Sequence, residues 1–183
     1  MTAFFFNLTP YSIIIPVHNE LNSINQLLMG LESFIKNGHE VIIIDDGSTD
    51  GTTNVLKDNK LISLICLKNN LGKGAAIKRG LIKSIHEKVV IFDGDMELDP
   101  SEIQHLMVLN KNKNILCVFG SRFKYINQFK SYWDIGNFVI TTFFNITYKS
   151  NHSDILCCAK SFFKTDIAIE RLKSTSFDID VEL

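Results

Sequence analysis

The chain has 183 residues, 45% of them hydrophobic, with 19 Lys and Arg against 20 Asp and Glu. That length suits one domain with a sizeable core, and a formal charge of -1 excludes wrapping of nucleic acid, so any phosphate binding is local. Cys66, Cys117, Cys157 and Cys158 show no zinc or disulfide spacing, residues 1–6 lack the pattern of a secretory signal, and no run reaches the ~20 apolar residues of a spanning helix. The expectation is a reduced, cytoplasmic setting.

Tyr11 to Val17 is a β-branched run interrupted by Pro16 near its end, the pattern of a buried strand. Leu21, Ile24, Leu27, Leu28, Leu31, Phe34 and Ile35 follow at helical spacing, and Asn37-Gly38 supplies the stop. Val41 to Ile44 predicts a second strand, Thr49 to Lys57 a short helix, and Leu61 to Leu67 a third strand. After the polar loop Asn69 to Gly74, Ile77, Leu81 and Ile85 mark a helix, and Lys88 to Phe92 the next strand. Asp99-Pro100-Ser101-Glu102 combines an N-cap, proline at the first helical position and an acid three residues after the cap, so another helix starts there. Ile115 to Phe119 reads as a strand. This alternation predicts an α/β protein: a Rossmann-like, mostly parallel sheet with helices on both faces, in a single domain over residues 1–183.

Beyond Ser121 aromatics and bases interleave at Arg122, Phe123, Lys124, Tyr125, Phe129, Lys130, Tyr132 and Trp133, and Ile135 to Tyr148 is apolar but dotted with asparagines and threonines. Two readings stand for this stretch: an interfacial segment with Tyr132 and Trp133 at headgroup level, or a plain core helix. Among the histidines, only His18 falls near a motif; His39, His86, His105 and His152 read as surface or loop residues, with no metal spacing.

Two acidic clusters follow strand ends: Asp45-Asp46-Gly47-Ser48 and Asp93-Gly94-Asp95, the latter continued by Glu97. In a parallel sheet both lie outside the carboxyl edge, where ligands bind. If residues 93–97 stay extended, Asp93, Asp95 and Glu97 face one way and suit a hard cation such as Mg²⁺ or Mn²⁺ bridging phosphates. Asp45 stands where a carboxylate can meet a base edge or ribose, whereas Ser48 and Thr49 suit an ordinary turn. Asn70-Leu71-Gly72-Lys73-Gly74 opens a helix, so its amides and Lys73 are candidates for phosphate or base.

In their order, these pieces make the chain resemble a family 2 glycosyltransferase of the GT-A fold. The resemblance rests on Ile14 to Glu20, Ile44 to Asp50, Asn70 to Ala76 and Phe92 to Asp95, and continues through Gly120 to Phe123, Ser153-Asp154 and Phe177 to Leu183. It is nearest to the dolichyl- and undecaprenyl-phosphate sugar transferases. It implies metal-dependent, inverting transfer from a nucleotide-diphosphate sugar to a polyprenyl phosphate at the cytoplasmic membrane face. Alternatives are a saccharide acceptor, or a silent nucleotide-sugar-binding module.

Carried over residue by residue, the resemblance puts Pro16, His18 and Glu20 at the nucleotide pocket together with Asp46, Lys73 and Gly94, and directs Asp45 to the base. Asp93 would lie beside ribose and diphosphate, Asp95 with Asp93 and Glu97 would hold Mg²⁺ or Mn²⁺, and Arg122 would meet the donor diphosphate. Asp154 would face the acceptor. It serves as general base if the acceptor is a hydroxyl; a lipid phosphate, with a second pKa of ~6, already carries the charge it needs. Cys158 occupies a position where relatives carry glycine, and Leu183 precedes a further strand, helix and basic elements that the resemblance leads one to expect.

Overall fold

The computed structural model describes the backbone of residues 9–121 and 132–183. Its elements are β1 (Tyr11–Val17), α1 (Ile24–Lys36), β2 (Glu40–Asp45), α2 (Thr52–Asp58), β3 (Ser63–Cys66), α3 (Lys73–Lys83), β4 (Lys88–Ile91), α4 (Ile103–Leu106), β5 (Cys117–Phe119), α5 (Tyr132–Tyr148), β6 (Lys160–Phe163) and α6 (Ile179–Glu182). The strands form one six-stranded sheet in the order β3-β2-β1-β4-β6-β5. The first four are parallel, and β6 runs antiparallel between β4 and β5.

Alternation within β1 explains how an unbroken aliphatic run can be strand. Ile13, Ile15 and Val17 pack with Val41, Ile43, Val90 and Phe92 against α1, α2 and α4, through Leu27, Leu31, Leu56 and Ile103. Ile14, Ile42, Ile44, Val89 and Ile91 face the other way, onto Ala76, Ile77 and Leu81 of α3 and Ile179 of α6. Both faces are covered, which is why β1, β2 and β4 carry no polar alternation. Gly80 lets α3 lie close on the sheet, since a Cβ there would come within 2.4 Å of the Ile14 side chain.

One reading from sequence needs correction, and two features go beyond what the sequence signalled. The helix announced at Asp99 does begin there, with the Asp99 carboxylate accepting from the Ser101 amide at 2.8 Å, but it is a 3₁₀ turn (Pro100–Glu102) running into the single turn of α4. His39 lies in the loop between α1 and β2, as read, but is buried there: Nδ1 accepts the Tyr11 amide at 3.2 Å, and burial, reinforced by the charge of His86, holds its pKa below the usual histidine range. β6 was not foreseen, because buried Lys160 opens it and only Ser161-Phe162-Phe163 follow.

Strand order also locates the ligand site. From β1 the chain winds to β2 and β3 on one side, then crosses to β4 on the other, so the sheet reverses direction beside β1. A crevice opens at the carboxyl ends flanking such a point.

Candidate nucleotide-sugar site

At that edge lies a cleft of about 380 Å³ lined by Pro16, His18, Glu20, Asp46, Lys73, Asp93, Gly94 and Asp95, together with Val17, Asn70, Gly72, Ser176 and Phe177. β1 delivers Pro16 and the turn after it His18 and Glu20, the β2 end delivers Asp46, α3 opens with Lys73, and the β4 end delivers residues 93–95. Eight of the residues singled out in sequence thus meet in one cavity. Gly94 has a packing reason: a Cβ would fall 2.4 Å from the Val17 side chain and 3.3 Å from the Pro16 carbonyl.

The adjacent aspartates Asp45 and Asp46 are occupied internally. Asp46 accepts the Leu71 and Gly72 amides, each at 2.8 Å, which clamps the loop before α3. Its carbonyl oxygen lies 2.8 Å from His18 Nδ1. Asp45 is 1% exposed, accepts the Ser48 amide at 2.9 Å and the Thr53 hydroxyl, and is absent from the cleft lining. Of the amides of Asn70–Gly74 expected to meet phosphate, those of Leu71 and Gly72 are thus engaged, and just beyond them Ala75 N donates to the Thr175 carbonyl at 3.2 Å. Glycines 72 and 74 serve this approach: Cβ atoms there would lie 2.3 Å and 2.6 Å from the Thr175 and Ser174 carbonyls.

Asp93 is the pivot of the site. Its Oδ2 accepts from Lys73 Nζ at 2.9 Å, and it lines both the cleft and a smaller cavity of about 20 Å³. That second cavity is bordered by Asp95, Glu97, Leu98, Leu156, Cys157, Cys158 and Ala159. The extended geometry expected for residues 93–97 does not occur. Met96 adopts φ 62°, the segment folds back, and the Glu97 amide donates to Asp95 Oδ1 at 2.9 Å. Among the described residues no three His, Cys, Asp or Glu side chains are arranged to hold a metal ion. The two carboxylates at the cleft still fit Mg²⁺ or Mn²⁺, cations held through one or two carboxylates with substrate phosphates completing the shell.

Sequence reasoning missed the back wall. Lys73 Nζ also donates to Asp180 Oδ2 at 2.8 Å, and its side chain is only 9% exposed. Burial pulls this ammonium down, but the Asp93 and Asp180 carboxylates hold it above lysine's ordinary value. Burial pushes the Cys158 thiol well above its usual range, so the residue standing in the glycine position is a neutral thiol. The segment carrying Asp180 is stapled on itself: Glu182 accepts the Lys173 and Ser174 amides at 2.7 and 2.8 Å, which brings its carboxyl down to about 2. Asp154 is buried and lies outside both cavity linings. Arg122, Lys124 and Lys130 fall outside the described residues.

Comparison with known proteins agrees with this geometry. The sequence pattern described as "Glycosyl transferase family 2" matches residues 12–172. Among curated relatives, the undecaprenyl-phosphate 4-deoxy-4-formamido-L-arabinose transferase of Aeromonas hydrophila is 35% identical over 105 residues, covering 52% of this chain and 32% of that relative. Its Proteus mirabilis counterpart is 34% identical over 115 residues, covering 56% and 34%. The matched stretch therefore spans about a third of the length of these relatives. Glucosyl-3-phosphoglycerate synthase from Mycobacterium tuberculosis, crystallised with phosphoglyceric acid, superimposes with a TM-score of 0.72 at 17% identity, over 94% of this chain and 63% of that one. The same synthase, crystallised with Mn²⁺, UDP and glucosyl-3-phosphoglycerate, gives a TM-score of 0.70 at 16% identity over the same shares. These structural matches establish a shared architecture. With the family pattern running through every cleft-forming strand and 161 of the 183 residues, the chain belongs to glycosyl transferase family 2.

Proposed function

We propose that the protein transfers a sugar from a nucleotide-diphosphate sugar to a polyprenyl phosphate, with inversion and with the help of a divalent cation. The observation that carries this is the cleft at the strand reversal, where Asp93, Asp95 and Lys73 converge within a family 2 glycosyltransferase fold. Names of the curated relatives support the acceptor class.

Donor recognition falls to Pro16, His18 and Glu20 at the β1 end and to Asp93 beside ribose and diphosphate. Asp95, with Asp93, would hold Mg²⁺ or Mn²⁺; bound there, the cation would neutralise charge on the departing diphosphate. Lys73 lies at the same wall, its ammonium held by two carboxylates. During transfer the bond from the sugar's anomeric carbon to the diphosphate oxygen breaks as a bond from the acceptor oxygen forms on the opposite face. A phosphate monoester, with second pKa ~6, is largely dianionic at neutral pH and needs no base to remove a proton. Buried Asp154 then has an orienting role.

We further propose that α5 seats this reaction on a membrane. Phe138, Val139, Ile140, Phe143, Ile146 and Tyr148 are exposed along it, an apolar face suited to the headgroup boundary. Among the described residues no helix is long and apolar enough to cross a membrane.

Radiolabelled nucleotide sugars, supplied with Mn²⁺ and polyprenyl phosphate, test the transfer. The expected result is label in the lipid phase, lost on chelation and in Asp95→Ala; transfer only to free saccharides would shift the acceptor, and none at all from folded protein would favour a binding module.

A further inference from the structure

The proposed reaction uses Lys73 and Asp93 but gives no part to Asp180, one of the most buried carboxylates at this edge of the sheet. Asp180 is 4% exposed and lines neither cavity, yet it contacts the cleft through Lys73. Its Oδ2 takes one ammonium proton, its backbone carbonyl accepts from buried Lys160 Nζ, and its Oδ1 is buried without a hydrogen-bond partner among the described residues. An uncompensated buried carboxylate oxygen is costly, and Asp180 nonetheless stands at this spot.

Lys73 has three ammonium protons. One goes forward to Asp93, one backward to Asp180, and the ring of Phe177 lies 5.5 Å from the nitrogen at the cleft rim. Lys73 thus stands in a balanced arrangement between two carboxylates, Asp93 and Asp180, while Lys160 meets the backbone carbonyl of the second. Removing the rear carboxylate unbalances it. The ammonium would then be held by Asp93 alone, the group that must remain available to ribose and metal, and would lose its fixed position.

Resting on the donor reading above, we propose that Asp180 is a positioning residue for nucleotide binding: it anchors Lys73 from behind and so fixes the Lys73–Asp93 pair in place at the cleft wall. The segment of residues 172–183 is then a working wall of the donor site. Its close approach to Gly72 and Gly74, through the Ser174 and Thr175 carbonyls, gives that wall a rigid seat.

The test is a double-mutant cycle read by calorimetry with UDP, GDP, CDP and ADP in turn, each with Mn²⁺. Asp180→Asn keeps the shape and removes the charge. It is expected to weaken the diphosphate that wild type binds by at least tenfold, yet to change affinity less than threefold in a Lys73→Met background. Unchanged affinity in Asp180→Asn, or an equal loss in both backgrounds, would overturn the proposal. Should Asp180→Asn not fold, Asp180→Ser is held to the same thresholds.

A second readout needs no nucleotide. Acetylation of the Lys73 amine, followed by mass spectrometry, is expected to be at least threefold faster in Asp180→Asn, and an unchanged rate would also overturn the proposal. Wild-type protein that binds none of the four diphosphates overturns the donor reading and Asp180's role in it, while the acetylation rates still report whether Asp180 anchors Lys73.

Discussion

Asp46 carries more of the cleft's shape than its place in a polar run implies. One carboxylate, 4% exposed, satisfies two consecutive amides and ties the end of β2 to the loop before α3. Charge-assisted bonds of this kind contribute about 1.5–3 kcal/mol each, and their loss strands two donors. Asp46→Ala is expected to destabilise the fold by about 2–4 kcal/mol in urea denaturation, with Asp46→Asn falling between it and wild type; a change below about 1 kcal/mol would show that the loop holds itself. At this scale the sequence named the acids but not their partners. Asp45-Asp46 and Asp93-Gly94-Asp95 were visible as strand-end carboxylates, whereas the pairing of Lys73 with Asp180 spans 107 residues and leaves no local trace.

Elements were legible wherever both faces of a strand or one stripe of a helix are buried. β1, β2, β4 and α1 fit that description, and each lies within a few residues of its predicted span. β6 escaped because its first residue is a buried lysine, and α4 because a cap signal states where a helix begins and not how far it runs. α5 was ambiguous for a physical reason. Thr141 receives the Ile155 amide at 3.2 Å and Asn145 bonds both the amide and the carbonyl of His152, so the helix turns polar groups inward and apolar groups outward. Core helices do the reverse, and a reading based on burial cannot decide between the two. If this face meets lipid, Phe143→Glu with Ile146→Glu will abolish co-sedimentation with anionic vesicles and leave the thermal midpoint within a few degrees; equal sedimentation of both proteins would remove α5 from the membrane.

The whole molecule has a pH-dependent weak point far from the cleft. His39 is held neutral in the fold by burial, and its Nδ1 must stay unprotonated to accept the Tyr11 amide. Because the folded pKa lies below the unfolded value of about 6.5, the unfolded chain takes up the proton first, and stability contributed by this group is complete above that value and declines as pH falls below it. Thermal midpoints are therefore expected to drop between pH 7.5 and 5.5 more in wild type than in His39→Gln; parallel slopes would assign the decline to other groups. Strand order, which no periodicity encodes, is what brings the distant acids of β2 and β4 together beside β1. The sequence therefore made the ingredients of the site legible, and family resemblance, more than any local signal, indicated that they converge.

Calorimetry on the purified chain shows whether this edge of the sheet binds a nucleoside diphosphate with a divalent cation. A panel of nucleoside diphosphates is titrated with Mn²⁺ and again with excess chelator. Saturable binding of one base in Mn²⁺, lost with chelator and in Asp95→Ala, is the predicted result. Folded protein that binds none of them, or binds equally well without metal, would contradict the account.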